Sequence, residues 1–460
     1  MTLLETDATT FAKHDPATGE LIDHVSITSA AELARAVDAA RAAQPEWEAL
    51  GADERIARLA PFAQRLEERA EELARCVTRE MGKPYPDALR EVKGWVAHTP
   101  EILDEVRRAV AEENFDSEGV RTRLVRDPHG VVAAITPWNF PVAMPLSILL
   151  PALATGNSVV FKPSEHVPLT GALLHELLAA GLPQDVLGLV QGAGAVGAQL
   201  VDSAVDMVGF VGSRDTGVRI MAAASAGLKR LVLELGGKDP LVVFADSDLN
   251  AAADCAVRHS LRNTGQVCCA VERVYVEESI ADEFEQRVIE KAKKWTHGNG
   301  FEEGVRMGPL VSTEQRAKVV AQVEQAVAHG ARLLLGGETP EGPGAFYPAT
   351  VLADVSPEHE VHTAETFGPV VCLSTFNGDE DEAVRLANDT PYGLGASIYS
   401  GDRERGLRIA KRVRSGQVGV NRYLGGAPGT PWVGARQSGF GFLGGIEGHR
   451  QFTVPKSISS

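Results

Sequence analysis

Residues 207–235 read MVGFVGSRDTGVRIMAAASAGLKRLVLEL and contain the pattern that decides the fold. A short apolar run over Met207–Val211 is followed by a helical pattern over Gly217–Ala226 and by a second apolar run over Leu231–Leu235. Short apolar strands of this kind are typical of parallel sheets, because helices cover both faces of such sheets. The stretch therefore predicts a strand–helix–strand unit of a parallel sheet.

The same alternation extends along the chain in both directions. Upstream of this unit, strands and helices are expected at 131–135, 158–162, 169–180, 186–190 and 195–203. Downstream, a helix at 249–263 opens a second series that continues to Val420. Alternation of this kind implies parallel sheets that bind ligands at the carboxyl ends of their strands. We therefore predict an α/β fold with two doubly wound domains.

The first hundred residues show a helical pattern instead. Residues 1–20 are expected to form an extended arm, and a capping box at Ser29 and Glu32 opens a helix. A single longer helix is expected from about Asp53 until Gly82 and Pro84 end it.

Composition and charge restrict the class of function. Hydrophobic residues make up 44% and charged residues 23% of the 460 residues, which excludes a mainly disordered chain. The 45 basic and 62 acidic residues give a net charge of −17. An acidic chain without a basic block is a poor ligand for nucleic acid or an anionic membrane. A small molecule is the expected partner.

The sequence predicts a cytoplasmic protein. Residues 1–7 lack the basic and then apolar pattern of an export signal. The charge-free stretch Val131–Phe161 has the length of a membrane span, but four prolines at 137, 141, 145 and 151 interrupt it. Five cysteines, an odd and sparse number, fit a reducing compartment better than a disulfide scaffold.

Two adjacent cysteines, Cys268 and Cys269, stand in the segment NTGQVCCA at 263–270. Adjacent cysteines cannot form a disulfide without strain, and the spacing completes no metal site. Two interpretations remain open from the residues alone. The cysteines could be small buried apolar residues, or one of them could be a thiolate nucleophile.

Seven short motifs resemble those of the NAD(P)-dependent aldehyde dehydrogenase superfamily, and they occur in the order of that family. They are PWNFP at 137–141, FKPSE at 161–165, FVGS at 210–213, LELGGK at 233–238, GQVC at 265–268, ETFGP at 365–369 and SGFG at 438–441. Each motif is weak alone, but the set covers the chain from about residue 13 to its end. The resemblance favours Cys268 as a nucleophile.

The resemblance implies the catalytic roles. Cys268 would attack the aldehyde carbonyl and form a thiohemiacetal. The amide of Asn139, together with the Cys268 backbone N–H, would stabilise the oxyanion. Glu234 would activate the water that hydrolyses the thioester, because a buried carboxylate can have its pKa raised toward neutrality. No metal is expected.

The resemblance also implies the residues that bind the cofactor. They are Trp138, Lys162, Ser164, Glu165, Gly194, Gly212, Ser213, Leu235, Glu365 and Phe367. Gly212 and Ser213 precede a helix N-terminus, which suits a pyrophosphate. A carboxylate at Glu165 accepts hydrogen bonds from ribose hydroxyls and repels a 2′-phosphate, so we expect NAD rather than NADP.

The expected substrate pocket is lined by Phe140, Met144, Ser147, Arg262, Val267 and Cys269. Relatives that act on succinate semialdehyde hold the substrate carboxylate with two basic residues. Ser147 occupies one of these positions and is neutral, whereas Arg262 occupies the other. The chain also departs from the usual P-F-G-G run of the family, since residues 431–434 read PWVG. The aldehyde itself is therefore left open.

By the same resemblance, we expect an aldehyde-dehydrogenase-like architecture. Residues 1–110 and 129–235 would form the cofactor-binding domain and 236–445 the catalytic domain. Residues 111–128 and 446–460 would form a small oligomerisation hairpin, whose unpaired edges another subunit would cover. A homodimer or homotetramer is expected.

Three alternatives are left to experiment. A CoA-acylating semialdehyde dehydrogenase would need no water-activating base, which Glu234 supplies. A cysteine hydrolase or thioesterase would need a histidine, and none lies in the seven motifs. A non-enzymatic binding or structural protein on the same fold is disfavoured because Asn139, Glu234 and Cys268 are all present.

Overall fold

The computed structural model describes residues 9–460. Residues 1–8, which include the start of the expected extended arm and the segment inspected for an export signal, lie outside the described part. The rest of the arm contains a hairpin of two antiparallel strands, β1 (Thr10–His14) and β2 (Leu21–Ser26).

Five helices follow the hairpin and precede two long strands. They are α1 (Ala30–Ala49), α2 (Gly51–Leu59), α3 (Phe62–Glu68), α4 (Ala70–Met81) and α5 (Tyr85–Ala109), and the strands are β3 (Glu113–Ser117) and β4 (Val120–Pro128). The capping box of Ser29 and Glu32 is confirmed at the start of α1.

The single long helix expected from about Asp53 to Gly82 is wrong. Three helices occupy this stretch, and the first interruption lies at Pro61, which has no N–H to continue the hydrogen-bond ladder. The second lies at Arg69, whose φ of −110° and ψ of 15° depart from helical geometry. The apolar periodicity continued across both interruptions because all three helices bury the same face.

The next part of the chain alternates strands and helices. The elements are β5 (Val131–Ile135), α6 (Ala143–Ala154), β6 (Ser158–Lys162), α7 (Pro168–Ala179), β7 (Leu187–Leu189), α8 (Gly194–Asp202), β8 (Met207–Val211), α9 (Arg214–Ala224) and β9 (Arg230–Glu234). The strand–helix alternation predicted from the sequence is confirmed here, with ends that differ by a few residues.

The second series begins directly after Gly237. Its elements are β10 (Asp239–Val243), α10 (Leu249–Leu261), β11 (Val271–Glu277), α11 (Ala281–Ala292), α12 (Thr313–Ala328), β12 (Arg332–Leu335), β13 (Thr350–Ala353), α13 (Glu360–Thr363), β14 (Val370–Phe376), α14 (Glu380–Asn388), β15 (Gly395–Tyr399), α15 (Arg403–Ala410) and β16 (Gln417–Val420). The C-terminal elements are β17 (Trp432–Val433), β18 (Gly439–Phe440), β19 (Phe442–Leu443), α16 (Gly445–Arg450) and β20 (Thr453–Ser459). Short 3₁₀ turns lie at Ser225–Gly227, Arg262–Gly265, Glu278–Ile280 and Arg436–Ser438.

A six-stranded sheet carries the topological feature that locates the site. Its order is β18-β9-β8-β5-β6-β7, with all pairs parallel except β18 with β9. From β5 the chain moves outward through β6 and β7, and then returns to the other side of β5 with β8 and β9. Ligands bind at the carboxyl ends of the two strands that flank such a switch point. Here those ends lead into the loop at 136–142 and into Gly212 and Ser213.

A seven-stranded sheet forms the second layer system, in the order β12-β13-β14-β11-β10-β15-β16. All of its pairs are parallel except β12 with β13. Its interior is apolar, with Val243, Val274, Phe284 and Ile398 buried. The structure therefore has the mixed α/β fold with parallel sheets that the sequence predicts.

A third sheet joins distant parts of the chain. The strands β3 and β4 form a hairpin, and the terminal strand β20 pairs with β4 from Thr453–Pro128 to Ser459–Thr122. Phe115, Val120 and Ile458 are exposed on this sheet. We propose that it serves as the oligomerisation element, because an exposed sheet with apolar side chains is usually covered by another chain.

None of the helices within residues 9–460 combines the length and apolar character needed to cross a membrane. The charge-free stretch divides into β5, α6 and β6 instead. Leu149, Leu150 and Phe161 of this stretch are fully buried in the core next to the six-stranded sheet.

Candidate active site

A cavity of about 200 Å³ lies at the switch point of the six-stranded sheet. Nine of the residues expected from the sequence line it: Trp138, Asn139, Met144, Gly212, Ser213, Glu234, Cys268, Glu365 and Phe367. Five more lining residues were not predicted: Pro137, Val211, Gly236, Gln315 and Lys318. The thiol of Cys268, the amide of Asn139 and the carboxylate of Glu234 thus open onto one space, although they come from three separate segments of the chain.

The loop before Cys268 has an unusual backbone. After α10 ends, Asn263, Thr264 and Gly265 all adopt left-handed conformations, with φ of 53°, 59° and 71°. A Cβ on Gly265 would lie 1.9 Å from the carbonyl oxygen of Gly368, so only glycine permits this crossing. The helix expected to reach Asn263 therefore ends at Leu261, and the loop turns Cys268 into the cavity.

Hydrogen bonds within this loop and to neighbouring segments of the chain fix its conformation. The Gln266 amide donates to the Asn263 carbonyl at 3.0 Å and accepts from the backbone N–H of Val311 at 2.8 Å. The Asn263 amide donates to the carbonyl oxygens of Gln266 and Asn139, both at 3.1 Å. These buried bonds replace the contacts that a regular helix would have provided.

Two glycines allow the loop to approach the end of β9. A Cβ on Gly237 would lie 2.6 Å from the Cys268 carbonyl oxygen. A Cβ on Gly236 would lie 2.4 Å from the carboxylate of Glu365. Any side chain at either position would separate Cys268 and Glu365 from the strand that carries Glu234.

Ser438 anchors the chain between Glu234 and these glycines. Its carbonyl accepts from the Leu235 N–H at 2.8 Å, and its hydroxyl donates to the Gly236 carbonyl at 2.7 Å. The hydroxyl also accepts from the Gly393 N–H at 2.9 Å. The C-terminal SGFG motif therefore supports the active site structurally without lining the cavity.

A buried ion pair holds the Glu365 segment in place. Lys238 donates to the carboxylate of Glu272 and, at 3.2 Å, to the hydroxyl of Thr366. The same carboxylate accepts the backbone N–H groups of Thr366 and Phe367 at 2.8 and 2.9 Å. Both charges are satisfied, which is the condition for burying such a pair. Lys238 belongs to the LELGGK motif, but the motif alone does not predict its partner, Glu272.

Asn139 is buried, and the hydrogen bonds that its backbone carbonyl accepts hold it in place. That carbonyl accepts from the ammonium of Lys83 at 2.8 Å and from the Asn263 amide. Lys83 in turn pairs with Glu91, whose carboxylate accepts the N–H of Val142 at 3.0 Å. Lys83 was missed because its segment was interpreted only as the end of a helix.

The Asn139 side chain presents an amide to the cavity. One N–H donates to the Gln266 carbonyl at 3.1 Å, which fixes the plane of the amide. An amide nitrogen carries two N–H groups, so a second donor remains for a ligand. A neutral donor fixed in this way suits an oxyanion, because it needs no reorganisation when charge develops.

Glu234 lies at the end of β9 with 5% of its surface exposed. Its Oε1 accepts from the indole N–H of Trp432 at 3.1 Å, whereas its Oε2 has no partner among the described residues. Burial raises the pKa of Glu234 to about 8, and the bond from Trp432 opposes this effect. A carboxylate of this kind can exchange a proton near neutral pH.

The two cysteines differ in their surroundings. Cys268 opens onto the cavity, and the adjacent Cys269 thiol and burial together raise the pKa of Cys268. Cys269 lies in an apolar cluster, and its Sγ accepts from the Tyr423 hydroxyl at 3.2 Å. Access to Asn139 and Glu234 therefore distinguishes Cys268 from its neighbour.

The other expected substrate residues lie beside the cavity. Phe140, Val267 and Cys269 belong to one apolar cluster with Leu424 and Trp432. Ser147 donates to the Met144 carbonyl at 2.8 Å within α6. The Arg262 guanidinium lies 5.7 Å from the centre of the Phe140 ring. The Lys83 ammonium lies 4.1 Å from the centre of the same ring, so two cations adjoin this cluster.

The expected cofactor residues follow the carboxyl edge of the six-stranded sheet. Glu165, His166 and Ala193 line a larger cavity of about 580 Å³. Lys162 is buried 3.9 Å from the Glu165 carboxylate, and the Ser164 hydroxyl donates to that carboxylate at 3.3 Å. These groups lie beyond β6, next to the switch point.

Trp138 stands between the two cavities. Its ring packs edge-on against His166 at 5.9 Å and against Phe367 at 5.5 Å. Ser213 is the N-cap residue of α9, and a Cβ on Gly212 would lie 2.5 Å from the Phe210 ring. A helix N-terminus with a glycine before it suits a pyrophosphate, since backbone N–H groups can approach the phosphates.

Four of the expected cofactor residues line neither cavity: Lys162 and Ser164, described above, and Leu235 and Gly194. Leu235 is buried, and a Cβ on Gly217 would lie 2.6 Å from it, so this leucine packs against α9. Gly194 begins α8 at an open position where a Cβ would meet no atom within 4 Å. The polar groups from Glu165 to Ser213 provide hydrogen-bonding partners for a dinucleotide without Leu235 and Gly194.

Comparison with known proteins gave a consistent result. The model of the aldehyde dehydrogenase family matches residues 3–458. Glutarate-semialdehyde dehydrogenase of Pseudomonas putida is 39% identical, over 94% of this chain and 91% of that protein. Betaine aldehyde dehydrogenase of Bacillus subtilis is 37% identical, over 96% of this chain and 92% of that protein.

Crystal structures of two enzymes superpose on almost the whole chain. Betaine aldehyde dehydrogenase of Staphylococcus aureus in complex with NAD⁺ gives a TM-score of 0.94 at 35% identity, covering 98% of this chain and 91% of that one. Lactaldehyde dehydrogenase of Escherichia coli gives a TM-score of 0.95 at 36% identity, covering 99% and 96%.

Proposed function

Because the chain belongs to the aldehyde dehydrogenase family, we propose the role of each active-site residue, the cofactor that it prefers and the class of aldehyde that it oxidises. The chain is an oxidoreductase that converts an aldehyde to its carboxylic acid with NAD(P). The observation that carries the assignment of residues is the convergence of Cys268, Asn139 and Glu234 on one cavity.

Cys268 is the nucleophile in this proposal. Its sulfur attacks the aldehyde carbon, and the resulting oxyanion receives hydrogen bonds from the free N–H of Asn139 and from the Cys268 backbone. When bound, the oxidised nicotinamide supplies the hydride acceptor that turns the thiohemiacetal into a thioester. Loss of one oxyanion donor typically lowers the rate by about a hundredfold or more.

Glu234 then acts as the base for hydrolysis. Its Oε2 is buried and has no hydrogen-bond partner within residues 9–460, which leaves this oxygen available to accept a proton from a water molecule. The water oxygen bonds to the acyl carbon, the bond from carbon to sulfur breaks, and the acid leaves. A base of this kind argues against the CoA-acylating alternative, in which a thiol replaces water.

Glu165 supports a preference for NAD. Its carboxylate lies at the end of β6 beside the buried Lys162 ammonium. A ribose can donate its hydroxyls to this carboxylate, whereas a 2′-phosphate would face a second negative charge. We propose that Glu365, Phe367 and Trp138 hold the nicotinamide half, and that Gly212 and Ser213 hold the pyrophosphate.

Arg262 supports a substrate that carries a carboxylate. Its guanidinium lies 5.7 Å from the centre of the Phe140 ring, which packs in one apolar group with Val267 and Cys269, and the hydrocarbon part of a semialdehyde would fit that group. Relatives named glutarate-semialdehyde and succinate-semialdehyde dehydrogenase are consistent with this class. Since Ser147 replaces a second basic residue, we propose a longer chain than that of succinate semialdehyde.

The first prediction concerns Glu234. In wild-type enzyme, the rate of thioester hydrolysis should rise about tenfold between pH 7 and pH 9, because the ionised fraction of a base with a pKa of about 8 rises by that factor. Glu234→Gln should keep a burst of about one NADH per subunit, followed by turnover at least about a hundredfold slower. Stopped-flow absorbance measures both phases.

Cys268→Ala is the control for this experiment and should show neither burst nor turnover. Unchanged steady-state turnover in Glu234→Gln would contradict the assignment of the base. A burst in Cys268→Ala would contradict the assignment of the nucleophile.

The second prediction concerns the cofactor. Glu165→Gln should raise kcat/KM for NADP and lower it for NAD, because the charge that repels the 2′-phosphate is removed. Glu176→Gln, which removes an exposed carboxylate on α7, is the matched control and should leave the ratio unchanged. A wild-type enzyme that prefers NADP would contradict the proposal.

The third prediction concerns the substrate. The wild-type enzyme should have a higher kcat/KM for glutarate semialdehyde than for pentanal, and Arg262→Gln should reduce this ratio by about tenfold or more, since one charge-assisted contact is lost. Arg258→Gln, one turn before the end of α10, removes an exposed arginine and should preserve the ratio. Equal ratios in wild type and Arg262→Gln would show that Arg262 does not recognise the carboxylate.

A further inference from the structure

The indole of Trp432 donates a hydrogen bond to the carboxylate assigned as the base. The Nε1–Oε1 distance is 3.1 Å, and the other oxygen of Glu234 has no partner among residues 9–460. We propose that Trp432 is a positioning residue for thioester hydrolysis, which holds one oxygen of Glu234 so that the other oxygen faces the acyl carbon. This inference rests on the proposed role of Glu234.

The backbone around Trp432 is fixed on both sides. The strand β17 pairs with β19, with Trp432 opposite Leu443, and Leu443 is buried in the core. On the other side, the Gln417 amide donates to the Pro431 carbonyl at 3.0 Å. Two neighbouring segments therefore fix the backbone from which the indole side chain projects.

Glycines bring this segment close to its neighbours. A Cβ on Gly416 would lie 1.8 Å from the carbonyl oxygen of Val433, and a Cβ on Gly434 would lie 2.2 Å from that of Ser438. Ser438 also binds the chain next to Glu234. The donor and the acceptor of the indole bond are thus attached to the same local framework.

Packing fixes the ring itself. The indole packs against the apolar cluster of Val267, Cys269, Ala270, Leu394 and Leu424. Two χ angles determine the direction of the N–H in a tryptophan, and contacts on the ring restrict both. The ring thus packs against the cluster that contains both sequence neighbours of Cys268, while its polar edge points to Glu234.

A single hydrogen bond has a specific consequence for Glu234. The carboxylate is buried, so its orientation depends on the few polar groups within reach. The indole N–H can only donate, and it therefore favours the ionised acceptor, which is the form that a base requires. A phenylalanine at this position, as in the P-F-G-G run, could fill the space but could not donate.

Oε1 of Glu234 can keep its hydrogen bond from Trp432 throughout the hydrolytic step. The water oxygen forms a bond to the acyl carbon, and the water proton passes to Oε2 of Glu234. The electron pair of the bond between carbon and sulfur leaves with Cys268. The proton on Glu234 then returns to the Cys268 thiolate, so that the enzyme is regenerated.

Trp432→Phe tests this inference, because it keeps an aromatic ring and removes the donor. With NAD and glutarate semialdehyde or pentanal, the burst of NADH should keep its amplitude and rate. The decay of the acyl-enzyme, followed by acid quench and mass spectrometry, should slow at least about tenfold. Its pH dependence should shift to higher pH, because loss of a donor to the ionised carboxylate raises the pKa of Glu234.

Controls separate positioning from a loss of structure. Trp295→Phe truncates another half-buried indole and should leave both phases unchanged. Adding Trp432→Phe to Glu234→Gln should slow the decay of the acyl-enzyme no further. In this double variant, residue 234 no longer acts as a base, so loss of the indole N–H has nothing left to affect. Trp432→His, which retains a ring N–H, should recover part of the hydrolysis rate.

Three results would overturn the inference. They are an unchanged decay in Trp432→Phe, a slower decay with an unshifted pH dependence, and a burst that is lost together with hydrolysis. The failure of this inference is distinguishable from that of the proposed function. If Glu234→Gln blocks hydrolysis while Trp432→Phe does not, Glu234 remains the base and Trp432 is a packing residue.

Discussion

The close contact of three backbone segments at the end of β9 is the constraint on which the rest of the active site depends. Gly236 and Gly237 leave room for the Glu365 carboxylate and for the Cys268 carbonyl, at distances that exclude any side chain. A second crossing, between Gly265 and Gly368, brings the cysteine loop against the Glu365 segment. Cys268 and Glu234 can share one cavity because these glycines remove the atoms that would separate them.

The two sheets supply different parts of this arrangement. The six-stranded sheet presents Asn139, Ser213 and Glu234 at the ends of adjacent strands, where its chain order reverses. The seven-stranded sheet presents Cys268 before β11 and carries the Lys238–Glu272 pair that fixes the Glu365 segment. Burial in this junction raises the pKa of Glu234 to about 8 and that of Glu365 to about 7. Enclosure therefore brings the pKa of both carboxylates close to neutral pH and also forms a space that limits access of water.

Local pattern was sufficient to predict the strands, and the family resemblance pointed to residues that line the cavity, but neither predicted the contacts between distant segments. The strand–helix alternation from Val131 to Val420 was correct because short apolar strands and helical periodicity are local properties. The long helix expected after Asp53 was wrong because apolar periodicity does not report the break at Pro61. The left-handed turn at Asn263 and Thr264 was missed because crossing the Gly368 segment, rather than intrinsic preference, favours it. Lys83, Glu272, Tyr423 and Trp432 were missed because each acts through a partner that is far away in the sequence.

The covalent thioester on Cys268 is the central claim, and trapping it is the most direct test. Glu234→Gln enzyme would be mixed with NAD and glutarate semialdehyde, quenched in acid, digested and analysed by tandem mass spectrometry. A parallel sample carrying Cys269→Ser would assign the modified sulfur without ambiguity. The account predicts one acyl group per subunit on Cys268 in both samples and none when NAD is omitted. An acyl group on Cys269, or product formed without any acylated cysteine, would contradict it.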